Sequence, residues 1–302
     1  MYYQKLKQVL SDMEAGRILT KTGDRFSPGT LTVYYNALAW IQRYEKSGGR
    51  QNRDDYFRDF QIFLTTQGLA KNTISVLVSN SRSMARHEKS IFLPKLESIS
   101  TELTTKVYNT LEELRNITEL DLGETPGYER LRDIYVLHCN TGLRFSDLQR
   151  VLANLPSYLK SASGNQYLRL TTHKTREDIV IPLSSAAREI IEKRHGDFGR
   201  MVSLVFYNKA IKEIGRRAGI DEPVSKYMTK GGRMTEEYLP KYKLMGSHTG
   251  RRTFATNAWL SGVPERKIMK ITGHTSEAAF KRYLRADALE SALSLADHPF
   301  FK

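Results

Sequence analysis

The sequence predicts a mainly helical protein of the α+β class, with a helical N-terminal domain and a mostly helical second domain that contains a small antiparallel β-sheet. Three observations support this prediction. Apolar residues follow a helical period through the first hundred residues. The pattern breaks between Phe92 and about Thr104. Two short runs of alternating apolar residues then lie at 166–172 and 178–182. These features predict domains over 1–95 and 105–302, joined by a linker over 96–104.

The N-terminal domain is predicted to contain at least three helices. Ser27 followed by Pro28 is typical of a helix N-cap and first helical residue, and Gly48 ends the helical pattern that follows. A second helix carries Tyr56, Phe60, Phe63 and Leu64 and stops at Gly68, and a third begins near Asn72. The aromatic residues of these helices are expected to form a core.

The second domain is predicted to begin with helices near 105–120 and 127–140. Two strands follow, and the polar loop between them contains His173, Lys174, Thr175 and Arg176. Further helices start near Ser184 and near Tyr207, whereas residues 221–246 are predicted to form a long irregular loop. From Ser247 onward the pattern is helical again and is interrupted at Gly262, Gly273 and Pro299.

The charge of the chain favours a polyanionic partner, most often a nucleic acid. The formal net charge is +14. Residues 1–100 carry 15 Lys and Arg against 9 Asp and Glu, and the remainder carries 32 against 24, so both parts are basic. A basic protein whose charge only aids solubility is the alternative. On the helices of the N-terminal domain, the candidate contacts to a polyanion are Lys71, Arg82, Arg86 and Lys89.

Several classes of protein are disfavoured. The single cysteine, Cys139, excludes an intramolecular disulfide and lies in an apolar helical run, which predicts a buried structural thiol. The N-terminus lacks the apolar core of a signal peptide, and no run of 18 apolar residues predicts a membrane span, so a reducing cytoplasm is expected. His248 and His274 have no partner at a spacing typical of metal ligands. Neither a metal nor a cofactor is therefore expected.

A small set of residues is suited to bind one anionic centre. Arg144 follows Thr141-Gly142-Leu143 and precedes a predicted helix near Ser146, where backbone amides favour anions. The planar guanidinium of an arginine can bind two phosphate oxygens at once, and Arg251 is the second candidate. His248 lies three residues before Arg251, so the two side chains share a helix face, and an imidazole can transfer protons near neutral pH.

Three further residues complete this set. Tyr283 carries a phenol, which is a weak nucleophile unless cations or a base surround it. His274 lies in a predicted turn nine residues earlier. Lys174, at the tip of the predicted hairpin, could reach into a groove and protonate a leaving oxygen. Each residue on its own is ordinary, since a tip lysine is usually solvated and most tyrosines belong to a core.

Taken together, these residues and their flanking sequences resemble the tyrosine recombinase (phage integrase) family of site-specific DNA recombinases. The segments TGLRFSDL, HTGRRTFAT and GHTS, the last followed by Tyr283, occur in the family's order. The resemblance covers about residues 105–285 by these motifs and residues 1–95 by helical pattern only.

The resemblance implies a role for each residue. Tyr283 would attack the scissile phosphate and form a 3′-phosphotyrosyl bond. Arg144, Arg251 and His274 would bind that phosphate, and His248 would assist proton transfer from the tyrosine. Lys174 would be the general acid, and Asp147 would match the family's acidic position that orients the site. The function implied is cleavage and rejoining of DNA strands for integration, excision or inversion, without ATP.

The resemblance also implies partners. Double-stranded DNA would be held by both domains, and four protomers would join two DNA sites. An apolar helical face in the tail would contact a neighbouring protomer or, alternatively, its own domain; it is formed by Leu289, Ala292, Leu293 and Ala296 and is followed by Pro299-Phe300-Phe301. Accessory DNA-bending or directionality proteins are further candidate partners. The expected location is the nucleoid in the cytoplasm, for a protein of bacterial, phage or mobile-element origin.

Two alternatives remain open from the residues alone. A type IB topoisomerase uses a very similar set of residues to relax supercoiled DNA. A non-catalytic DNA-binding protein would explain the charge but not the six residues. Within the family, integrases, invertases and Xer-type resolution enzymes share these motifs. Some integrases carry a further N-terminal domain for arm-type sites, which this chain either does not need or has had removed.

Overall fold

The computed structural model describes residues 2–49, 55–91, 93, 99–102, 104–123, 126–281, 283, 284 and 292. The chain forms two compact units. One contains residues 1–104 and also residues 226–237, and the other contains residues 105–225 and 238–302. In the described part of the chain, no helix is both long and apolar enough to span a membrane.

The first unit is a helical domain, and the three predicted helices correspond to α2, α3 and α4 as given below, whereas α1 was not predicted. Ser27 caps the second helix, because its side chain accepts a hydrogen bond from the amide of Thr30, and Pro28 is the first helical residue. Fully buried residues such as Phe57, Phe60 and Leu77 form its core. The helices are α1 (Tyr2–Glu14), α2 (Pro28–Lys46), α3 (Tyr56–Thr66) and α4 (Lys71–Ala85).

The second unit is mostly helical, as the sequence predicts. Its helices are α5 (Leu111–Glu119), α6 (Pro126–Thr141), α7 (Phe145–Ala153), α8 (Leu155–Tyr158), α9 (Ser185–Lys193), α10 (Leu204–Arg217), α11 (Lys241–Leu244), α12 (Ser247–Leu260), α13 (Glu265–Thr272) and α14 (Glu277–Lys281). Much of the predicted tail helix, including Leu289 and Leu293, lies outside the described residues.

A three-stranded antiparallel sheet in this unit confirms the predicted hairpin. Its strands are β1 (Leu159–Ala162), β2 (Asn165–Thr171) and β3 (Asp178–Pro182), in the order β1-β2-β3. Leu168 pairs with Ile181 and Leu170 with Ile179, and all four side chains are buried on one face. This alternation of buried and exposed residues is the signal that the sequence contains.

The predicted irregular loop over 221–246 is wrong, because most of it forms a second hairpin. Its strands are β4 (Pro223–Lys230) and β5 (Arg233–Pro240), joined by Gly231 and Gly232, which both have positive φ. Most side chains of both strands are at least partly exposed, so there is no apolar alternation from which strands can be predicted. The distal part of the hairpin belongs to the first unit.

Contacts within the first unit hold this distal part. The amide of Gly231 donates to the carbonyl of Leu69 (3.2 Å), and the amide of Thr229 donates to a carboxylate oxygen of Glu102 (2.9 Å). Lys230 forms an isolated bridge with Ala70. At the start of the hairpin, the hydroxyl of Thr105 donates to the carbonyl of Ser225 (3.0 Å) within the second unit.

A buried polar network positions α12 in the second unit. Asn109 is fully buried, and its amide donates to the hydroxyl of Thr253 on α12 (2.9 Å). The side-chain amide of Asn257, one turn further along α12, donates to the backbone carbonyl of Asn109 (3.1 Å). The hydroxyl of Tyr135 donates to the side-chain oxygen of Asn109 (2.5 Å). Satisfied buried networks of this kind fix the relative placement of elements.

Helix α6 lies at the centre of the second unit and packs closely on α12. A Cβ atom at Gly250 of α12 would lie 2.9 Å from the ring of His138 on α6, so the close approach requires glycine there. The predicted burial of Cys139 on α6 is confirmed, since its exposed fraction is 3%. Burial raises the pKa of this thiol to about 12, as expected for a structural cysteine.

Candidate active site

Five of the six predicted catalytic side chains line one cleft of about 880 Å³ in the second unit: Arg144, Lys174, His248, His274 and Tyr283. The sixth, Arg251, is 1% exposed and lies beside His274 and Tyr283. The sequence separates these residues by up to 139 positions. The fold brings them together because α7, the β2–β3 turn, α12 and α13 meet at this point.

Arg251 is a buried cation that holds three segments together. Its Nη1 donates to the carbonyl of Gly142 (2.7 Å), and its Nη2 donates to the carbonyl of Thr272 (2.5 Å). Its Nε is buried and has no hydrogen-bond partner among the described residues. Burial, and secondly the charge of Arg144, lower the pKa of Arg251 to about 10, which still leaves the guanidinium charged at pH 7.

Arg144 is the N-cap residue of α7 and is half-buried. The turn before it requires Gly142, whose φ is +62°. The carbonyl of Leu143 accepts a hydrogen bond from Nε2 of His138 (2.8 Å), which ties this turn to α6. Nη1 of Arg144 is buried without a partner in the part of the chain that is described. Two neighbouring arginines with unused buried donors favour binding of an anion.

His274 lies just after α13, which ends at Gly273 in the left-handed conformation (φ +63°). The hydroxyl of Thr272 donates its hydrogen to the carbonyl of Ile268 (2.7 Å). Because that hydrogen is used, Nδ1 of His274 is the donor in its hydrogen bond with the hydroxyl oxygen of Thr272 (2.7 Å). Nε2 then accepts from Nη2 of Arg251 (3.2 Å). Burial, followed by the charges of Arg251 and Arg144, lowers the pKa of His274 to about 3, so the ring is neutral at pH 7.

His248 is the second residue of α12 and is exposed to the cleft. Partial desolvation lowers its pKa below 6.5, and nearby cations, of which Arg252 is the strongest, act in the same direction. The imidazole is therefore mainly neutral at pH 7 and can accept a proton. Its ring centroid lies 6.4 Å from that of Tyr283.

Tyr283 follows the short helix α14 and is half-buried against the other candidate residues. Its ring centroid lies 4.8 Å from that of His274 and 5.4 Å from Cζ of Arg251. The amide of Tyr283 donates to the carbonyl of Phe280 (2.7 Å), a residue that is itself fully buried. The phenol thus lies among cations and two neutral imidazoles, the surroundings that activate a weak nucleophile.

Lys174 lies in the turn between β2 and β3, as predicted, and its side chain is exposed to the cleft. Asp147, which is 1% exposed, accepts a hydrogen bond from the amide of His173 (2.9 Å) through Oδ1. The same oxygen accepts from Nη2 of Arg150 (3.1 Å). Asp147 therefore contacts the turn that carries Lys174 and also lies on the helix that Arg144 begins.

Two further cationic side chains line the cleft, those of Lys106 and Arg252. Neither was predicted from the sequence. Both charges contribute to the lowered pKa of His248. Arg252 directly follows Arg251, and this pair of arginines is the sequence signal from which Arg252 could have been predicted. Lys106 lies in a segment with no motif, so only the fold shows that it reaches the cleft. Asn208 contributes in another way, since its side-chain oxygen accepts from the amide of Ser247 (2.7 Å) and holds the start of α12.

The predicted contacts to a polyanion lie in the first unit, on α4 or shortly after it. Arg86 and Lys89 are exposed, and Lys71 begins α4. Arg82 is half-buried, and its guanidinium carbon lies 5.7 Å from the ring centroid of Phe57. Part of that side chain therefore covers the core of the unit.

Among the described residues, no group of three or more His, Cys, Asp or Glu side chains is arranged to hold a metal ion. The cationic side chains named above instead surround a single cleft. They can bind an anion with several charge-assisted hydrogen bonds, and the phenol of Tyr283 lies beside the position where that anion would bind.

Comparison with known proteins gives consistent matches. The model of the phage integrase family matches residues 104–290. The tyrosine recombinase XerC of Thermodesulfovibrio yellowstonii is 21% identical over 295 residues, covering 91% of this chain and 92% of that protein. XerC of Pelobacter propionicus is 24% identical over 320 residues, covering 97% of each.

Solved structures share the fold at low sequence identity. The Tn1549 transposon integrase in complex with circular intermediate DNA is 15% identical, with a TM-score of 0.61 over 97% of this chain and 99% of that chain. The XerH site-specific recombinase bound to palindromic difH substrate is 15% identical, with a TM-score of 0.60 over 88% of this chain and 79% of that chain. A lambda integrase tetramer bound to a Holliday junction is 14% identical, with a TM-score of 0.60 over 93% of this chain and 77% of that chain.

Proposed function

This chain belongs to the phage integrase family of tyrosine recombinases, enzymes that cleave and rejoin DNA in site-specific recombination, and we propose that Tyr283 is its nucleophile. The observation that carries the proposal is the position of this phenol beside two arginines with unpartnered buried donors and two neutral imidazoles.

The scissile phosphate is bound by Arg144 and Arg251. His274 was expected to bind it too, but its N–H is used by Thr272 and its Nε2 accepts from Arg251, so its role is to orient that guanidinium. The unpartnered Nη1 of Arg144 and Nε of Arg251 are the donors available to its non-bridging oxygens. A bound phosphate also relieves the repulsion between the two guanidinium groups, one cause of the lowered pKa of Arg251. These donors are fixed by the fold before the reaction, so they stabilise the charge that develops in the transition state.

The phenol oxygen of Tyr283 then attacks phosphorus. A phosphorus–oxygen bond to Tyr283 forms, and the bond to the 5′ oxygen of the next nucleotide breaks. His248, which is neutral at pH 7, takes the phenol proton, and Lys174 gives a proton to the leaving oxygen. The products are a 3′-phosphotyrosyl bond and a free 5′ hydroxyl. Attack by another 5′ hydroxyl reverses these steps and joins a new strand.

The proposed function includes a wider assembly on DNA. The chain binds double-stranded DNA through both units, which agrees with the excess of positive charge in both parts of the sequence. Four protomers join two DNA sites, and the tail beyond Tyr283 contacts a neighbouring protomer. The lambda integrase tetramer bound to a Holliday junction supports this arrangement by analogy. The reaction takes place on DNA in the cytoplasm, with accessory DNA-bending or directionality proteins where the site requires them.

The first experiment tests for the covalent intermediate. A nicked DNA substrate carrying the cognate site, or the DNA flanking the native locus, traps the adduct after cleavage. Wild-type protein is expected to give an adduct on a denaturing gel, and Tyr283→Phe none. The adduct is expected to form in EDTA, because the arginine guanidinium groups neutralise the phosphate charge.

Tyr227→Phe is the matched control, since Tyr227 is a 51% exposed tyrosine on β4. It is expected to give the wild-type amount of adduct. An undiminished adduct with Tyr283→Phe would show that another residue is the nucleophile. Loss of the adduct in EDTA and recovery with magnesium would contradict the mechanism proposed for the phosphate site.

A further inference from the structure

The turn that carries Lys174 has two kinds of support. Hydrogen bonds within the turn close it: the amide of Thr172 donates to the carbonyl of Glu177 (2.9 Å), and the amide of Arg176 donates to the carbonyl of Thr172 (3.2 Å). The side chain of Lys174 makes no hydrogen bond or ion pair with any described residue. Its position is therefore determined by the backbone of the turn and by whatever holds that backbone.

One pair of side chains on α7 holds this backbone from outside. Nη2 of Arg150 donates to the carbonyl of Thr171 and to Oδ1 of Asp147. The same Oδ1 accepts from the amide of His173 (2.9 Å), next to Lys174. Arg150 and Asp147 thus fix the residues on both sides of Thr172. The guanidinium carbon of Arg150 also lies 5.9 Å from the ring centroid of Tyr158.

Removing Arg150 should leave the sheet itself unchanged. The pairing of β2 with β3 runs from Tyr167 with Pro182 to Thr171 with Asp178 and does not depend on α7. The side chain of Arg150 is 35% exposed and that of Asp147 only 1%, so loss of this ion pair also lowers stability, and the melting temperature measures that part of the effect. Apart from the bonds to Arg150 and Asp147, the hydrogen bond that links the turn to its surroundings among the described residues is a long one, from the hydroxyl of Thr175 to the carbonyl of Gly273 (3.5 Å).

We propose that Arg150, acting with Asp147, is a positioning residue that holds the β2–β3 turn so that Lys174 reaches the leaving 5′ oxygen. This inference rests on the proposed function, in which Lys174 is the general acid. A general acid must lie within hydrogen-bond reach of the atom it protonates, and a displacement of about 1 Å can reduce a rate by about 10². Arg150 itself does not touch the reacting atoms.

A substrate with sulfur in place of the bridging 5′ oxygen separates this role from a general structural one. Cleavage of that substrate breaks a phosphorus–sulfur bond and releases a thiolate, which leaves without a proton because a thiol is far more acidic than an alcohol. Cleavage of the sulfur substrate therefore does not need the general acid. Lys174→Ala is expected to be slow on the oxygen substrate and close to wild type on the sulfur substrate.

Arg150→Gln is expected to behave in the same way as Lys174→Ala. Single-turnover cleavage of the oxygen substrate should fall by about 10-fold to 100-fold, and cleavage of the sulfur substrate by less than about 3-fold. Asp147→Asn should give the same pattern, and Arg150→Lys should restore part of the rate. In a Lys174→Ala background, Arg150→Gln should cause no further loss, because both changes remove the same step.

Two controls make the outcomes distinct. Arg144→Ala should be slow on both substrates, since phosphate binding is needed in either case, and Arg200→Ala, at an exposed position, should match wild type on both. DNA affinity and melting temperature, measured for each variant, identify any that is misfolded.

Equal slowing of Arg150→Gln on both substrates would overturn the inference, and so would a wild-type rate on the oxygen substrate. If Lys174→Ala is not rescued by sulfur, the role of Lys174 in the proposed function fails instead. These results can be told apart because they come from different variants on the same two substrates.

Discussion

Arg251 holds separate parts of the fold together and, in the proposed mechanism, also binds the phosphate. Its guanidinium bonds the carbonyls of Gly142 and Thr272 and also Nε2 of His274, so it joins the turn before α7 to the end of α13. It has no ion pair with any described carboxylate. A buried arginine without a counter-ion is costly unless polar groups surround it. The cost is offset here by carbonyl oxygens, and the charge remains available for an anion from outside the protein.

His138 predicts how stability changes with pH. This ring is fully buried, and burial lowers its pKa from 6.5 to about 4. Between these two values the unfolded chain binds a proton that the folded protein does not, so stability is complete above pH 6.5 and is lost as the pH falls toward 4. The difference amounts to about 3 kcal/mol at the acid end. His274 acts in the same direction.

Urea unfolding between pH 7 and pH 4.5 measures this effect. The free energy of unfolding of the wild type should fall across this range. His138→Gln, which removes the titrating group, should lose a clear part of that slope. An identical slope in wild type and variant would show that His138 does not titrate as its burial implies.

At the residue scale, the sequence alone grouped most of the residues that the fold brings to this cleft. The six predicted catalytic residues were found from their chemistry, order and flanking motifs, and the fold brings all six together. Lys106 could not be found in this way, because a lysine outside any motif looks like every other surface lysine. The hydrogen bonds of Arg150 were equally hidden, since they depend on where the β2–β3 turn lies against α7.

At the scale of elements, the turn between α6 and α7 places both arginines. Gly142 has a φ of +62°, and a Cβ atom there would lie 2.5 Å from the ring of Phe254 on α12. Its carbonyl accepts the hydrogen bond from Nη1 of Arg251. Backbone strain and overpacking would act together at this position.

Gly142→Ala is therefore expected to lower the free energy of unfolding by about 2 kcal/mol or more. It should also reduce cleavage, because the carbonyl that holds Arg251 moves. The matched control is Gly164→Ala, because Gly164 has a φ of +75° and open space around it. This variant has the free-energy cost of the left-handed backbone conformation without any overpacking. Urea unfolding and adduct formation measure the two effects. Equal results for both variants would mean that the contact with Phe254 is unimportant.

The two hairpins show when strands can be predicted from sequence. The β2–β3 hairpin buries Leu168, Leu170, Ile179 and Ile181 on one face, so its sequence alternates and the prediction was correct. The β4–β5 hairpin buries no face of its own, and the prediction of a loop was wrong. Its one local signal was Gly231-Gly232, which is typical of a two-residue turn.

At the scale of the whole molecule, the tail beyond Tyr283 links the proposed assembly to the sequence. Deleting residues 287–302 is expected to leave binding of one DNA site within about 2-fold, because both basic units remain. Joining of two sites and recombination should fall by at least about 10-fold, because the apolar face that would contact a neighbour is lost. Gel-shift assays with one-site and two-site DNA measure the two steps. Unchanged recombination by the deletion variant would contradict the exchange of tails.

The division into two units was only partly predictable. The helical pattern, and its break near Phe92, indicated one boundary along the chain. No residue pattern indicates that residues 226–237 belong with the first unit, because the contacts that hold them are a backbone hydrogen bond to Leu69 and a carboxylate contact to Glu102. Backbone hydrogen bonds leave no pattern in the residue types.

The distal β4–β5 hairpin has a consequence for how this protein can be divided. Because residues 226–237 belong to the first unit, the chain passes between the two units three times. One protease cut in the linker would give two fragments, which the contacts of the hairpin with Leu69 and Ala70 can still hold together. A fragment that starts at residue 105 would keep the hairpin but lose Leu69, Ala70 and Glu102, the groups to which its end bonds. The strand edges freed in this way are sites for aggregation.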